Sequence, residues 1–480
     1  MSELNPARIL ERRAAEAPGK AAIHFEGEAI SYADLWRRVQ AVARGLAIAP
    51  GDRIAYLGYN EPALLVLLFA AALRNGIVVP LNWRLAPGEH RRILADCAPR
   101  VLYYGAEFEA PAGALGIPAA STRALPSADE GRLEPGNGER DLLIVYTSGT
   151  TGAPKGAVLT QSAIVWNARN SFHAHELGAE DHVLTALPMF HVGGLNIQTV
   201  PALLAGATVT LHRRFDPGLW LADVASRRPT HSLLVPATMS AVIGHPKWRE
   251  TDLSSLKMLN TGSMVVPDSL IHAFHERGVP VGQVYGSTET APIAVVLRRE
   301  DAFRKVGSAG RPSPHCEVKL LDGEICVRGP SVMRGYWNAR SDADRGLDPE
   351  GWFHSGDLAQ IDEDGFYRIV GRSKDIIISG GENIHPAELE NVLADCPQIA
   401  EAAVVGIPDP RWGEAACAAV VPASGAALDE AAVLRLFEGR LARFKHPRKV
   451  VFLPELPKNA MAKVRRAELR RLLDEQLRGA

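Results

Sequence analysis

A chain of 480 residues exceeds the roughly 100–200 residues of one ordinary domain, so two or three domains are expected. Its 46% hydrophobic and 22% charged residues are those of a soluble globular protein, and a formal net charge of −2 offers no field to gather nucleic acid or an anionic membrane. The cysteines Cys97, Cys316, Cys326, Cys396 and Cys417 form no C-x-x-C pair, and no signal peptide is read at the start. That points to a reducing cytoplasm and argues against a disulfide framework or structural zinc.

Taken in chain order, the apolar run at 63–73 is too short for the ~20 residues of a bilayer span and reads as a buried helix. The Ala-, Gly- and Pro-rich stretch at 110–139 reads as a surface excursion. A strand is expected at 142–146, a helix at 162–169, and strands at 182–184 and 207–211. His173 and His175 are read as surface histidines rather than metal ligands. Such alternation implies an α/β fold of parallel or mixed sheets wrapped by helices. Past Gly371 the pattern changes to short strands at 375–378, 402–405, 416–421 and 449–453, with helices at 386–393 and 430–441. These read as a small, mobile C-terminal α+β lid. The expected division is residues 1–371 for the large N-terminal domain, 372–374 for a hinge and 375–480 for the lid. Between Arg440 and Arg471 lie eleven Lys or Arg against Glu455 and Glu468, a local +9 that suits a solvated basic helix or a phosphorylated ligand.

The segment Tyr146-Thr147-Ser148-Gly149-Thr150-Thr151-Gly152-Ala153-Pro154-Lys155-Gly156 directly follows a predicted strand. Its glycines let backbone N–H groups turn toward an anion, its hydroxyls add donors, and Lys155 can neutralise a polyphosphate. The Walker A spacing does not fit it. The segment resembles the phosphate loop of the acyl-adenylate-forming superfamily, which includes acyl- and aryl-CoA ligases, peptide-synthetase adenylation domains and firefly-type luciferases. Further segments similar to that family follow in its order. They are Pro188-Met189-Phe190-His191, the run from Gln283 through Val284, Tyr285, Gly286, Ser287 and Thr288 to Glu289, and the box from Gly323 to Gly329. After these come the run from Gly351 to Asp357, Gly371-Arg372-Ser373-Lys374-Asp375, and the loop from Pro457 to Lys463.

The resemblance implies ATP, Mg2+ and CoA as cofactor and co-substrates and a small-molecule carboxylic acid as partner, with a homodimer as the family-level expectation. Attack of a carboxylate on the α-phosphate brings two anions together, so the site must offset negative charge. Glu289 is similar to the magnesium ligand, with Thr288 beside it in the reacting centre. Asp357 and Arg372 are similar to the ribose-binding pair. Tyr285 would give adenine a flat face, and Gly262-Ser263 would line its other side. Lys463 matches the lysine that reaches from the lid to the carboxylate and α-phosphate, although Ala462 replaces the typical glycine of its loop and Asn459 a typical threonine. Lys374 matches the hinge about which the lid turns between its two tasks. Gly380 and Gly381 would then line the pantetheine tunnel, Trp412 would stack on the CoA nucleotide, and Phe444, Lys445 and Arg448 would meet its 3′-phosphate.

The acid pocket is expected to comprise His191, Val192, Gly193, Gly194, Met264 and Ala291, all small or apolar apart from His191. Val284 stands where malonate-type relatives carry an arginine, so a second carboxylate would be buried without a partner. An apolar monocarboxylate, fatty or aryl, is therefore expected. A free-standing acid–carrier-protein ligase is the alternative within this class. A catalytically silent acyl- or nucleotide-binding protein is the alternative outside it, and the presence of Lys463, Glu289 and Asp357 together argues against that.

Overall fold

The computed structural model describes residues 2–131, 133, 137–148, 154–262, 266–339, 341, 346–379, 382–459 and 463–478. The sequence-predicted site residues Gly149, Thr150, Thr151, Gly152, Ser263, Met264, Gly380 and Gly381 lie outside them, as does the side chain of Ser148.

Two large sheets make up most of the chain. One has nine strands, and its central ladder is parallel: Val281–Tyr285, Met258–Gly262, His231–Leu233, His182–Thr185, Thr208–Leu211 and Ala21–Phe25. The other has seven strands and includes Asp141–Ser148, Pro154–Thr160 and Ile77–Leu81. Ile77–Leu81 reads Ile-Val-Val-Pro-Leu and is buried throughout, as expected of a parallel strand covered on both faces. The helix Pro62–Arg74 starts with Pro at its first turn and buries every residue from Leu64 to Leu73, so the short apolar run is core, as its length implied. Thr160 caps the helix Gln161–His175 by accepting from the Ala163 N–H, which stops the preceding strand.

A four-stranded antiparallel sheet follows, made of Glu317–Leu321, Glu324–Arg328, Phe353–Ile361 and Tyr367–Arg372. The remaining sheet pairs the long hairpin Ile399–Asp409 and Gly413–Pro422 with Ile377–Ser379 and Lys449–Phe452. Alternate residues of Gly413–Pro422 face two separate apolar clusters. Ala416, Ala418 and Val420 meet Leu389, Val433 and Phe437 on one side, whereas Ala415, Cys417 and Ala419 meet Leu469 and Leu473 on the other. Both clusters are drawn from residues 377–477.

Four expectations need correction. The stretch at 110–139 is more than an excursion, because Ala119–Ser121 extends the seven-stranded sheet parallel to Val101–Tyr104. The expected helix at 430–441 is helical only over Glu430–Arg435; the chain then turns, with Gly439 at φ 72°, while Phe437 stays fully buried. His175 is 1% exposed and hydrogen-bonded to Ser171, so it is a core histidine, whereas His173 is exposed. The basic segment is partly neutralised in three dimensions, five of its eleven cations pairing with acids far away in sequence. Lys445 pairs with Glu388 at 2.6 Å, Lys458 with Glu401 at 2.5 Å, Arg466 with Glu390 at 2.8 Å and Arg470 with Glu414 at 2.6 Å, while Arg440 pairs with Asp395. No helix among the described residues is long and apolar enough to cross a membrane.

Candidate active site

The cleft lies at the carboxyl ends of the parallel strands Met258–Gly262 and Val281–Tyr285, where open α/β sheets hold ligands. Gly262 faces Val284 across this ladder, and a Cβ added to it would stand 2.3 Å from the Val284 carbonyl oxygen. Only glycine lets the two strands close up here. The same region concentrates buried polar atoms without a hydrogen-bond partner: Thr261 Oγ1, Gln283 Nε2 and Ser287 Oγ. Orphaned buried donors and acceptors cost about 1–3 kcal/mol each, so their clustering marks a place built to receive a polar ligand.

Glu289 lies in the short 3-10 turn Thr288–Thr290 and is 8% exposed, with Thr288 at 4%. The Tyr336 hydroxyl donates to Glu289 Oε1 at 2.7 Å, and the Met333 N–H donates to the Glu289 carbonyl at 2.7 Å. Oε2 keeps no protein hydrogen bond among the described residues. Burial and the adjacent Glu289 charge push the Tyr336 hydroxyl well above the usual phenol range, so it stays a donor. A buried carboxylate with one fixed and one open oxygen fits a hard divalent cation. Tyr336 had no signal in sequence, standing 47 residues from Glu289. Its strand Gly335–Tyr336 pairs with Pro154–Thr160, which carries Lys155, and the Lys155 ammonium lies 5.2 Å from the centre of the Tyr336 ring. Thr147 pairs with Lys155 at the mouth of the Asp141–Ser148 and Pro154–Thr160 hairpin.

Tyr285, Asp357 and Arg372 form a chain. The Tyr285 hydroxyl donates to Asp357 Oδ2 at 3.0 Å, and Arg372 Nε donates to Asp357 Oδ1 at 2.7 Å. Asp357 and Arg372 are held opposite each other by strand register. Each carboxylate oxygen has a second lone pair, so Asp357 can still accept from a pair of hydroxyls. Gly286 and Ser287 continue the chain from Tyr285 into the Glu289 turn.

Lys463, in the loop before the helix Arg466–Arg478, lies near enough to this cleft to feel its charges. Desolvation, and next the Arg372 guanidinium, lower its ammonium below the usual lysine range; Asp357 and Glu289 pull the other way. Its loop is braced at both ends. The Lys463 N–H donates to Asn459 Oδ1 at 3.0 Å, and the Asn459 N–H donates to the Lys463 carbonyl at 2.9 Å. Asn459, which stands where a threonine is typical, thus ties the two described ends of this segment together.

His191 caps the turn Val192–Asn196, its Nδ1 accepting from the Gly193 N–H at 3.0 Å. Burial, then the Lys463 charge, holds its pKa down to about 4, so the ring is neutral. Val192 is 1% exposed and Ala291 0%. Gly193 and Gly194 border a small cavity of about 10 Å3, room for about one water, with Leu184, Leu187, Gln198 and Leu233. The two glycines differ in kind. A Cβ on Gly194 would stand 2.3 Å from the Pro188 carbonyl oxygen, whereas one on Gly193 would meet His191 Nδ1 at 3.1 Å. Gly194 is therefore required by packing rather than by room for a ligand.

Of the residues expected to meet CoA, Trp412 lies in the long hairpin and Phe444, Lys445 and Arg448 lie just before the strand Lys449–Phe452. Trp412 sits in the tight turn of the long hairpin, where Asp409 Oδ1 accepts from the Trp412 N–H at 2.9 Å. The Arg448 guanidinium lies 5.3 Å from the centre of the Trp412 ring. Phe444 is 42% exposed, while the Lys445 ammonium is engaged by Glu388. Lys374 is exposed in the 3-10 turn Ser373–Asp375 that joins Tyr367–Arg372 to the C-terminal sheet.

A parallel-sheet body whose cleft carries a buried carboxylate, a clamped aspartate and a lysine supplied by a C-terminal loop is that of an adenylate-forming enzyme. The "AMP-binding enzyme" family model matches residues 10–337, and its "AMP-binding enzyme C-terminal domain" matches residues 388–463. The chain is 47% identical to an indoleacetate–CoA ligase of Aromatoleum aromaticum, covering 97% of each chain. It is 43% identical to a feruloyl-CoA synthase of Amycolatopsis, covering 96% of this chain and 97% of the relative. The o-succinylbenzoate CoA synthetase of Bacillus subtilis, solved with its acyl-adenylate intermediate, superposes with a TM-score of 0.88 at 32% identity, over 96% of this chain and 97% of that one. The chain belongs to the AMP-binding enzyme family.

Proposed function

We propose that this enzyme is an ATP-dependent, AMP-forming acid–CoA ligase whose acid is a compact aromatic monocarboxylate of the arylacetic or arylpropenoic kind. A carboxylate oxygen attacks the α-phosphorus of ATP and pyrophosphate leaves. The CoA sulfur then attacks the acyl carbon and AMP leaves. In the first step Lys463 meets the charge that shifts between the carboxylate and the α-phosphate, and Lys155, with Thr147 and the loop after it, holds the polyphosphate. Mg2+, held by Glu289 and kept in place by Tyr336, would neutralise phosphate oxygens. Asp357 and Arg372 take the ribose, and Tyr285 faces adenine. For the second step residues 375–480 turn as a lid about residues 372–374, and the Trp412–Arg448 pair meets the CoA nucleotide.

The observation that carries the choice of acid is the wall of the cavity at Gly193. None of its described lining residues is charged. Val284, where a dicarboxylate would need a cation, is packed among Leu187, Ile197, Leu233 and Ile293. The identities of 47% and 43% to ligases of indoleacetate and ferulate support the same choice over the 34% to a long-chain fatty acid ligase. Pyrophosphate release should be measured over arylacetates, arylpropenoates, long-chain fatty acids and dicarboxylates, with CoA or a carrier protein as acceptor. The proposal expects aromatic monocarboxylates with CoA to lead. A preference for long-chain or dicarboxylic acids would overturn the choice of acid, and a preference for the carrier protein would overturn the choice of acceptor.

A further inference from the structure

The box from Gly323 to Gly329 lies away from the acid cavity and contributes no group to the chemistry above. The fold nevertheless brings its side chains against a neighbouring strand in a way that sequence spacing does not reveal. Cys326 on Glu324–Arg328 stands directly opposite His354 on the antiparallel strand Phe353–Ile361, and Glu324 shares the face of Cys326 two residues away.

Three different ligand atoms converge there. Cys326 Sγ is 3.5 Å from His354 Nδ1, and His354 Nδ1 is 3.6 Å from Glu324 Oε2. All three atoms lie within 4.8 Å of one another. A tetrahedral zinc ion bound at about 2.3 Å to sulfur and about 2.0–2.1 Å to nitrogen holds those two ligands roughly 3.5 Å apart. The Cys326–His354 spacing is thus that of two ligands around one ion.

The neighbours fix each ligand in the matching state. Asp348 Oδ1 accepts from the Glu350 N–H at 2.9 Å and the Trp352 N–H at 2.8 Å, and Asp348 Oδ2 faces His354 Nε2 at 3.2 Å. A carboxylate so held accepts the Nε2 proton, which leaves the Nδ1 lone pair turned toward Cys326 and Glu324. This is the carboxylate–histidine arrangement that orients metal-binding imidazoles. Glu324 uses only Oε1 for the chain, accepting from the Gly356 N–H at 2.7 Å. The thiol hydrogen has local acceptors in His354 Nδ1 and, at 3.9 Å, the Glu324 carbonyl. Glu324 Oε2 faces His354 Nδ1 at 3.6 Å, beyond hydrogen-bond distance, so both atoms are turned toward the same point. The His354 and Glu324 side chains are 36% and 26% exposed, so an ion has a way in and water a fourth position.

We propose that Glu324 Oε2, Cys326 Sγ and His354 Nδ1 form a binding site for a thiophilic divalent cation of the zinc class, with Asp348 as the group that orients His354. The site is separate from the Mg2+ position at Glu289. On binding, the thiol proton leaves to solvent and the sulfur ligates as thiolate. Because Gly356 precedes Asp357, occupation of the site firms the strand end that carries the ribose pair.

The test uses full-length protein treated with chelator and then titrated with Co2+ and with Zn2+. One Co2+ per chain should bind with a near-ultraviolet thiolate charge-transfer band and visible bands of tetrahedral intensity, and Zn2+ should displace it. Cys326→Ser should abolish the charge-transfer band. Asp348→Asn should keep the band but weaken affinity by about 10–100-fold. Should Cys326→Ser fail to fold, as judged by circular dichroism, Asp348→Asn alone still decides. A spectrum without thiolate ligation, a band unchanged by Cys326→Ser, or affinity unchanged by Asp348→Asn would each overturn the proposal and leave the cluster as a hydrogen-bonded strand contact.

Discussion

Replacing Tyr336 by Phe tests whether Glu289 is held for a metal or merely buried. The substitution removes one oxygen, the donor of the 2.7 Å hydrogen bond to Glu289 Oε1, and keeps the ring that Lys155 faces at 5.2 Å. No cavity forms, so the loss is that of one hydrogen bond to a charged group, about 1.5–3 kcal/mol. At 8% exposure Glu289 cannot recover that bond fully from water, and a fall of a few degrees in Tm follows. The functional effect should be larger and more specific. Groups that orient a metal-binding carboxylate commonly change metal affinity 10–100-fold. Pyrophosphate release titrated with Mg2+ should therefore show a raised Mg2+ requirement, with the rate largely recovered at saturating Mg2+. A Tm loss of the expected size with an unchanged Mg2+ dependence would refute this reasoning and reduce Tyr336 to a packing residue.

The two glycines of the acid cavity should separate. Gly194→Ala drives a Cβ to 2.3 Å from a backbone oxygen and should destabilise the protein by several kcal/mol in chemical denaturation, whereas Gly193→Ala presses only on His191 and should shift acid preference with ATP affinity intact. Stability should fall in acid. Burial holds His175 down to about 3, and His182 and His191 to about 4, below the ~6.5 of an unfolded chain, so the unfolded state takes up protons first. That contribution is complete above pH 6.5 and lost as pH drops through 4 toward 3, about a few kcal/mol in all; a flat denaturation midpoint over that window would contradict it. Lys374→Pro should spare acyl-adenylate formation and slow thioester formation, and an equal loss in both half-reactions would move the hinge elsewhere.

Much of this was legible in sequence because the signals are local. The strand at 142–146, the helix at 162–169 and the apolar run at 63–73 follow from the apolar pattern alone. The strands expected at 402–405 and 416–421 were legible at their cores but too short. Ile399–Asp409 extends beyond 402–405 because its antiparallel partner Gly413–Pro422 supplies hydrogen bonds for its whole length. What sequence could not give is register and contact across distance. Tyr336 meets Glu289, Asp348 meets His354, and Lys445 is drawn to Glu388 over 57 residues, none of it encoded in spacing. Nor does composition distinguish Gly194, excluded from substitution by a carbonyl, from Gly193 beside it.

The central claim is that one lysine, delivered by a moving lid, serves adenylation alone. Lys463 lies where Arg372, Asp357, Glu289 and His191 all feel its charge, the pose suited to the first half-reaction. Lys463→Ala should be assayed in the two halves separately. Formation of acyl-AMP from acid and ATP should fall by about 10²–10³-fold or more, as for other lost transition-state contacts. Thioester formation from synthetic acyl-AMP and CoA should proceed at a near-normal rate. If the variant were equally slow in both halves while remaining folded, the assignment of Lys463 to adenylation alone would be wrong.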